Sequence, residues 1–282
     1  MKFIKNIIFL FLIIGIVALF LIIKPDYAFI LKQQLTARKS ITLKEISFTN
    51  EQLQNIPIED SKITQNTHLM LINQQYPIPE TYSLDLVNYK ESDMYLEASI
   101  TDAYTQLVEA TMQKTNEPLY IMSSYRDRQK QIELYNEDPK VTTLPGTSEH
   151  EVGKGIDVYT YQYAGMSFLK SKAGQFVNTD LDDYGFIIRY PFNHQSHTNI
   201  TYEPWHIRYV GLPHSQIITQ NRWCLEEYIH HLKLGVFYEV DNYIISKQNG
   251  STFQIPLDAS EISISLDNTG SYIVTCKIEE LH

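Results

Sequence analysis

Between His150 and Asp157 the chain carries two glycines, Gly153 and Gly155, and these exclude a regular helix through the stretch PGTSEHEVGKGIDVY at residues 145–159. What the stretch can do instead is turn at the glycines, folding a loop histidine back against the strand that follows. Ile156 to Tyr161 alternates in the manner of a strand, with Asp157 and Tyr159 on one face and Ile156 and Val158 on the other. An imidazole and a carboxylate then converge, as the N- and O-type ligands of zinc do at about 2.0–2.2 Å from the metal. A solvated loop histidine beside a surface aspartate fits the same letters.

Glu203-Pro204-Trp205-His206 is the second element. Trp205 to Val210 alternates again, so His206 and Arg208 share one face. Residues three apart on a regular strand point to opposite faces, and Pro204 disfavours a helix interior. Glu203 and His206 therefore reach one site only if the chain bends at Pro204. In the functional reading His206 joins the metal ligands and Glu203 stays free as a base. In the bland reading Glu203 is a surface residue ahead of a buried aromatic strand.

Around these segments, Ala98 to Met112 has helical periodicity, and Leu119 to Met122 reads as a strand. Asp127 caps a helix through Gln131, Leu134 and Tyr135 that closes at Asp138-Pro139. His68 to Ile72 reads as a short apolar strand, Phe168 to Asp183 as a helix, Tyr184 to Tyr190 as a strand and Leu225 to Leu234 as a short helix. Beyond Gly235 come short β-prone runs separated by Asn249-Gly250, Asp258 and Asn268-Thr269-Gly270.

The N-terminus carries an unbroken apolar run, Ile7 to Ile23, behind Lys2 and Lys5. Its length is near the lower end of the roughly 17–25 residues that span a bilayer, and no small-residue cleavage site follows it. The expected organisation is a cytoplasmic stub and transmembrane anchor at 1–26, a stalk at 27–66, a catalytic domain at 67–234 and a small β appendage at 235–282. That places a single-pass protein in the cell membrane with its catalytic domain extracellular. A formal net charge of −10 argues against a nucleic-acid partner. Cys224 and Cys276 leave one disulfide open, and with no Cys-x-x-Cys pair a thiolate metal site is excluded. His194 and His197, spaced as His-x-x-His in a polar loop, read as solvated, and so do the adjacent His230 and His231.

Ser123-Ser124-Tyr125-Arg126, Gln131, the spaced set Ser148, His150, Gly153, Gly155 and Asp157, and the runs YGFIIRYP and EPWHIRYVG resemble the VanY-type D-alanyl-D-alanine carboxypeptidases. The likeness runs from about His68 to Leu234. Ser124 stands where that family usually has Gly, and Gly155 where it usually has Ala. The resemblance implies an α+β fold with an antiparallel central sheet flanked by helices. It implies Zn²⁺ held by His150, Asp157 and His206, with Glu203 as general base and Arg126 stabilising the oxyanion or anchoring substrate. Ser148 and Gln131 match positions that contact the peptide. The implied reaction removes the terminal D-alanine from peptidoglycan stem pentapeptides, a loss that deprives glycopeptide antibiotics of their target. Cleavage of an L,D bond, hydrolysis of free D-Ala-D-Ala, and a non-catalytic wall-binding module are the competing readings.

Overall fold

The computed structural model describes residues 23–36, 39–140 and 142–279, with single positions at 6, 10, 15 and 19. The apolar run Ile7 to Ile23, expected to form a transmembrane helix, lies almost wholly outside them. Among the described residues no helix is long and apolar enough to cross a membrane. The transmembrane anchor, the single-pass membrane location and the extracellular placement derived from it are therefore withdrawn.

In chain order the elements are α1 (Pro25–Leu35), β1 (Lys44–Ile46), β2 (Leu53–Pro57), β3 (Ile63–Asn66), β4 (Leu86–Asn88), β5 (Tyr95–Glu97), α2 (Thr101–Thr115) and β6 (Tyr120–Ser123). There follow α3 (Arg128–Glu137), β7 (Gly155–Tyr159), α4 (Lys172–Asp180), β8 (Phe186–Ile188), β9 (His206–Tyr209), α5 (His214–Gln220) and α6 (Leu225–His231). The chain ends in β10 (Phe237–Val240), β11 (Tyr243–Gln248), β12 (Thr252–Pro256), β13 (Ala259–Leu266) and β14 (Tyr272–Ile278).

The central sheet has the order β6-β7-β9-β8, antiparallel throughout. The expected α+β architecture is present. Alternation assigns the two faces as the sequence implied. Ile156, Val158 and Ile207 turn one way, into a core with Tyr104 and Leu107 of α2 and Ala173 and Val177 of α4, all fully buried. Burying an aliphatic or aromatic side chain of this size contributes about 1.5–3 kcal/mol. Asp157, His206 and Arg208 turn the other way. Asp127 caps α3 as expected, its side chain accepting from the Lys130 amide at 2.7 Å.

The second sheet changes the picture of both termini. Its order is β1-β10-β11-β14-β13-β3, so two strands from the expected stalk form its edges, and β2 pairs with β12 beside it. Residues 44–66 are thus not a spacer, and the tail is not a free appendage. Both faces of this sheet are covered. Tyr238, Val240, Ile245 and Ile273 pack against α5 and α6. Phe237, Ile244, Ile262, Ile264 and Val274 pack against Ile56, Phe253 and Ile255. The physical reason is the period of two: β10, β11 and β14 carry apolar residues on both faces, so each face needs a partner.

His68 to Ile72 is a second correction. It is a buried connection rather than a strand, because its polar groups are met by side chains. Arg208 donates to the carbonyls of His68 and Met70 at 3.0 Å each, Ser265 Oγ accepts from the Leu69 amide at 2.9 Å, and Asn268 donates to the Leu71 carbonyl at 2.9 Å. The helix expected from Phe168 to Asp183 is shorter, with α4 flanked by 3₁₀ turns at Gly165–Lys170 and Leu181–Tyr184.

Candidate metal centre

His150 lies on a 3₁₀ turn, Glu149–Val152, closed by Gly153 at φ +68°. A Cβ on Gly153 would stand 2.8 Å from Leu86 Cδ2 and 2.9 Å from the Glu97 amide nitrogen, so glycine is required twice over, for its dihedral and for its size. The chain then reverses into β7, where Asp157 stands opposite His206 of β9 on one side and Ser123 of β6 on the other. His150 Nε2 is 3.3 Å from Asp157 Oδ2, and His206 Nδ1 is 2.9 Å from Asp157 Oδ1. One donor atom from each of the three residues lies within 4.8 Å of the others.

The His150 ring orientation is fixed from behind. His150 Nδ1 is 2.8 Å from the Ser124 carbonyl, which can only accept, so Nδ1 carries the proton and Nε2 offers its lone pair to the site. His206 presents Nδ1 to the site and Nε2 toward Glu149 Oε2 at 3.9 Å. Asp157 Oδ1 is buried and makes no hydrogen bond despite its short approach to His206. Two imidazoles and a carboxylate with an unmet oxygen, all facing one point, fit a tetrahedral zinc site that keeps a fourth position open.

The required bend is at Pro204. The His206 amide donates to the Glu203 carbonyl at 3.2 Å, closing a β-turn with proline second, and Asn178 donates to the Pro204 carbonyl at 2.9 Å. The turn puts Glu203 Oε2 3.8 Å from His206 Nδ1. Burial raises the Glu203 carboxyl above its usual range; His206 pulls the other way and Asp157 adds to the rise. Burial would raise Asp157 too, but His150 and His206 outweigh it and hold that carboxyl well below the usual range. Burial opposes charge on His206, yet the adjacent carboxylates of Asp157, Glu149 and Glu203 lift the ring to about 9. For His150 burial prevails and lowers the ring.

A cavity of about 600 Å³ opens over these groups. Arg126, Ser148, Tyr190 and Trp205 line it, with parts of segments 139–143 and 195–201. Arg126 faces it with a buried Nε that has no hydrogen-bond partner. Gln131 is not in the lining. It is fully buried behind the wall and donates to the Thr143 carbonyl at 2.8 Å, so it shapes the cavity through Thr143.

Sequence reasoning missed the layer beneath. Glu149 is fully buried and meets Arg189 Nε at 2.6 Å and Arg208 Nη1 at 2.7 Å. Arg189 in turn forms a two-pronged pair with Glu226 of α6 at 2.8 and 2.7 Å. The arginines hold Glu149 ionised against its burial. The available signal was a pair of arginines closing otherwise apolar strands, FIIR and HIRY, with an acid immediately before His150. Elsewhere, His194 and His197 are not simply solvated, because both approach Glu227 of α6, at 3.1 and 3.5 Å. Cys224 and Cys276 are free and buried, Cys276 in the core of the second sheet, and burial pushes the Cys276 thiol up to about 12.

Three comparisons bear on this constellation. The family model described as VanY: D-alanyl-D-alanine carboxypeptidase matches residues 93–212. Over 257 residues the chain is 34% identical to a D-alanyl-D-alanine carboxypeptidase of Enterococcus faecium, covering 82% of each sequence. Among solved structures it is similar to a vancomycin-resistance D,D-pentapeptidase from a VanB-type cassette in complex with Zn(II), at 27% identity and a TM-score of 0.53, covering 57% of this chain and 98% of that one. The fold likeness extends further in a vancomycin-resistance D,D-dipeptidase solved with a D-Ala-D-Ala phosphinate analog, at 24% identity and a TM-score of 0.66, covering 80% and 98%.

Proposed function

The chain belongs to the VanY family of D-alanyl-D-alanine carboxypeptidases, and from that premise we propose that it removes the C-terminal D-alanine from peptidoglycan stem pentapeptides, using Zn²⁺ held by His150, Asp157 and His206. The observation that carries the reading is the convergence of those three side chains in a cavity, with Glu203 beside them and outside the ligand set. The relative solved with Zn(II) and the fit of the donor set support the choice of metal. Bound there, zinc supplies a Lewis acid and lowers the pKa of water to about 7.

The protein's own groups do the rest. Glu203, its carboxyl raised by burial, takes the proton of the attacking water and returns it to the departing D-alanine amine. Arg126 offers a half-buried guanidinium, its Nε without a hydrogen-bond partner, to the oxyanion or to the terminal carboxylate of the peptide. Ser148, at the cavity wall, is placed to contact the peptide, while Gln131 acts from behind Thr143. The Glu149 carboxylate stands 3.9 Å behind His206, on the ring nitrogen turned away from the site. Loss of the terminal D-alanine fits a role in vancomycin resistance.

The test follows D-alanine release from a pentapeptide, a tetrapeptide and free D-Ala-D-Ala in parallel, with chelation and zinc add-back. Release from the pentapeptide that stops on chelation and returns with zinc is expected. A pentapeptide left intact while the tetrapeptide is cut would overturn the choice of bond.

A further inference from the structure

A second group of metal-ligand type lies in the connection between β8 and β9. Gln195, Asn199, Ile200 and Thr201 of this connection line the cavity over the candidate metal centre. His194 and His197 are not in that lining; they meet Glu227 of α6 instead. A single helical turn, Gln195–Thr198, opens at His194, and the His197 amide donates to the His194 carbonyl at 2.9 Å, so the two rings stand three residues apart on one face. His194 Nε2 is 3.1 Å from Glu227 Oε2, and His197 Nε2 is 3.5 Å from Glu227 Oε1.

The tautomer makes this contact informative. His194 Nδ1 is 2.8 Å from the Phe192 carbonyl, which can only accept, so Nδ1 carries the proton. In the neutral ring Nε2 is then a lone pair aimed at a carboxylate, and two acceptors face each other. Such a contact is favourable only with a cation between them. The Cys224 amide already donates to Glu227 Oε2 at 2.9 Å, which leaves Oε1 toward His197. A bridge between a protonated ring and a carboxylate closes to about 2.7–2.9 Å. The observed separations are longer and bracket the roughly 3.4 Å between neighbouring ligand atoms of a tetrahedral site with bonds of about 2.0–2.1 Å. His150 Nε2 and Asp157 Oδ2 stand at a similar 3.3 Å.

We propose that His194 Nε2, His197 Nε2 and Glu227 Oε1 form a second site for a divalent cation of the zinc, nickel or copper class, separate from His150, Asp157 and His206. Two imidazoles and one carboxylate suit those ions. The two rings are 6.3 Å apart, against 5.0 Å for His150 and His206, and rotation of His197, whose side chain is half exposed, closes the difference. An ion held there ties the cavity wall at 195–201 to α6. With three protein ligands and an open approach from solvent it exchanges readily and is lost to metal-free buffer. The plain alternative is a proton in place of the metal, with an imidazolium at His194 paired to Glu227.

The experiment titrates zinc chloride calorimetrically into the full chain without an affinity tag, after zinc loading and dialysis into zinc-free buffer at pH 7.5. The wild type is expected to take up one equivalent beyond any that it retains. His197→Ala and Glu227→Gln, both at partly exposed positions and checked for an unchanged urea midpoint, should bind that further equivalent more than about 100-fold more weakly, since losing a ligand costs more than the 10–100-fold typical of losing an outer partner. No uptake beyond the retained equivalent overturns the site and leaves the proton in its place. Uptake that both variants share with the wild type also overturns it, as adventitious binding elsewhere. His206→Ala keeps this inference apart from the catalytic reading: it should remove the retained equivalent and spare the further one. A further equivalent that disappears with His206→Ala and survives Glu227→Gln belongs to the catalytic centre and overturns the second site.

Discussion

Glu203 and His206 meet across a single β-turn: the backbone closes at 3.2 Å and the carboxylate stands 3.8 Å from the ring nitrogen that faces the site. On a straight strand the two side chains would point apart. Pro204 in the turn is what converts a sequence separation of three into spatial adjacency. The acid is thereby brought beside His150, Asp157 and His206, whose three donor atoms converge without it.

The first consequence is a separation of binding from chemistry. Glu203→Gln keeps the shape of the side chain and removes its ability to take a proton. It should bind zinc like the wild type and lose about 10²–10⁴-fold in kcat. Metal analysis alongside D-alanine release checks both halves. A variant with substantial activity would show that another group is the base.

Gly153 is a backbone requirement with a functional reach. Gly153→Ala must place a Cβ within 2.9 Å of the Glu97 amide at a positive φ, and the Glu97 amide already donates to the Gly153 carbonyl at 3.0 Å. The cost expected is about 1–3 kcal/mol of strain, together with weakened zinc binding because the turn no longer holds His150 against Asp157. Urea unfolding and chelator competition measure the two effects separately.

Glu226 tests the buried charge layer. Its two oxygens satisfy Arg189, which is itself fully buried. Glu226→Ala leaves that guanidinium without its two-pronged partner and should destabilise the fold by about 3–5 kcal/mol, read as a lower urea midpoint. A change below about 0.5 kcal/mol, typical of surface sites, would mean the pair contributes little.

Stability should also fall in acid, with a sign set by His214. This ring is buried between Tyr228 of α6 and Thr275 of β14, and burial lowers its pKa from 6.5 to about 3. Between those values the unfolded chain takes a proton that the folded chain refuses. The contribution is therefore fully present above about 6.5 and is lost progressively as pH falls toward 3, at up to about 1.4 kcal/mol per pH unit. Comparing unfolding at pH 7.5 and 5.0 in the wild type and in His214→Gln checks this: the variant should show the shallower fall.

Much of the site was legible because it obeys local rules. The strand period separated Asp157 from Ile156 and Val158 and His206 from Trp205 and Ile207, the glycines demanded the turn, and the opposed requirements of Glu203 and His206 demanded the bend. The buried layer was not legible, because Glu149, Arg189, Arg208 and Glu226 carry charges that composition assigns to the surface. Only tertiary pairing makes their burial tolerable. The second sheet was hidden for another reason. Lys44 of β1 meets Glu239 of β10 across 195 residues of sequence, and nothing local in a three-residue strand announces so distant a partner. The stalk and the tail therefore read as separate pieces when they are one sheet.

The central claim is that His150, Asp157 and His206 form one zinc site. The direct measurement is the zinc content of the purified full chain after dialysis against zinc and then buffer, for the wild type and for His206→Ala. Stoichiometric zinc in the wild type and its loss in the folded variant are predicted. A wild type that retains no metal, or a His206→Ala chain that retains as much, would contradict the account.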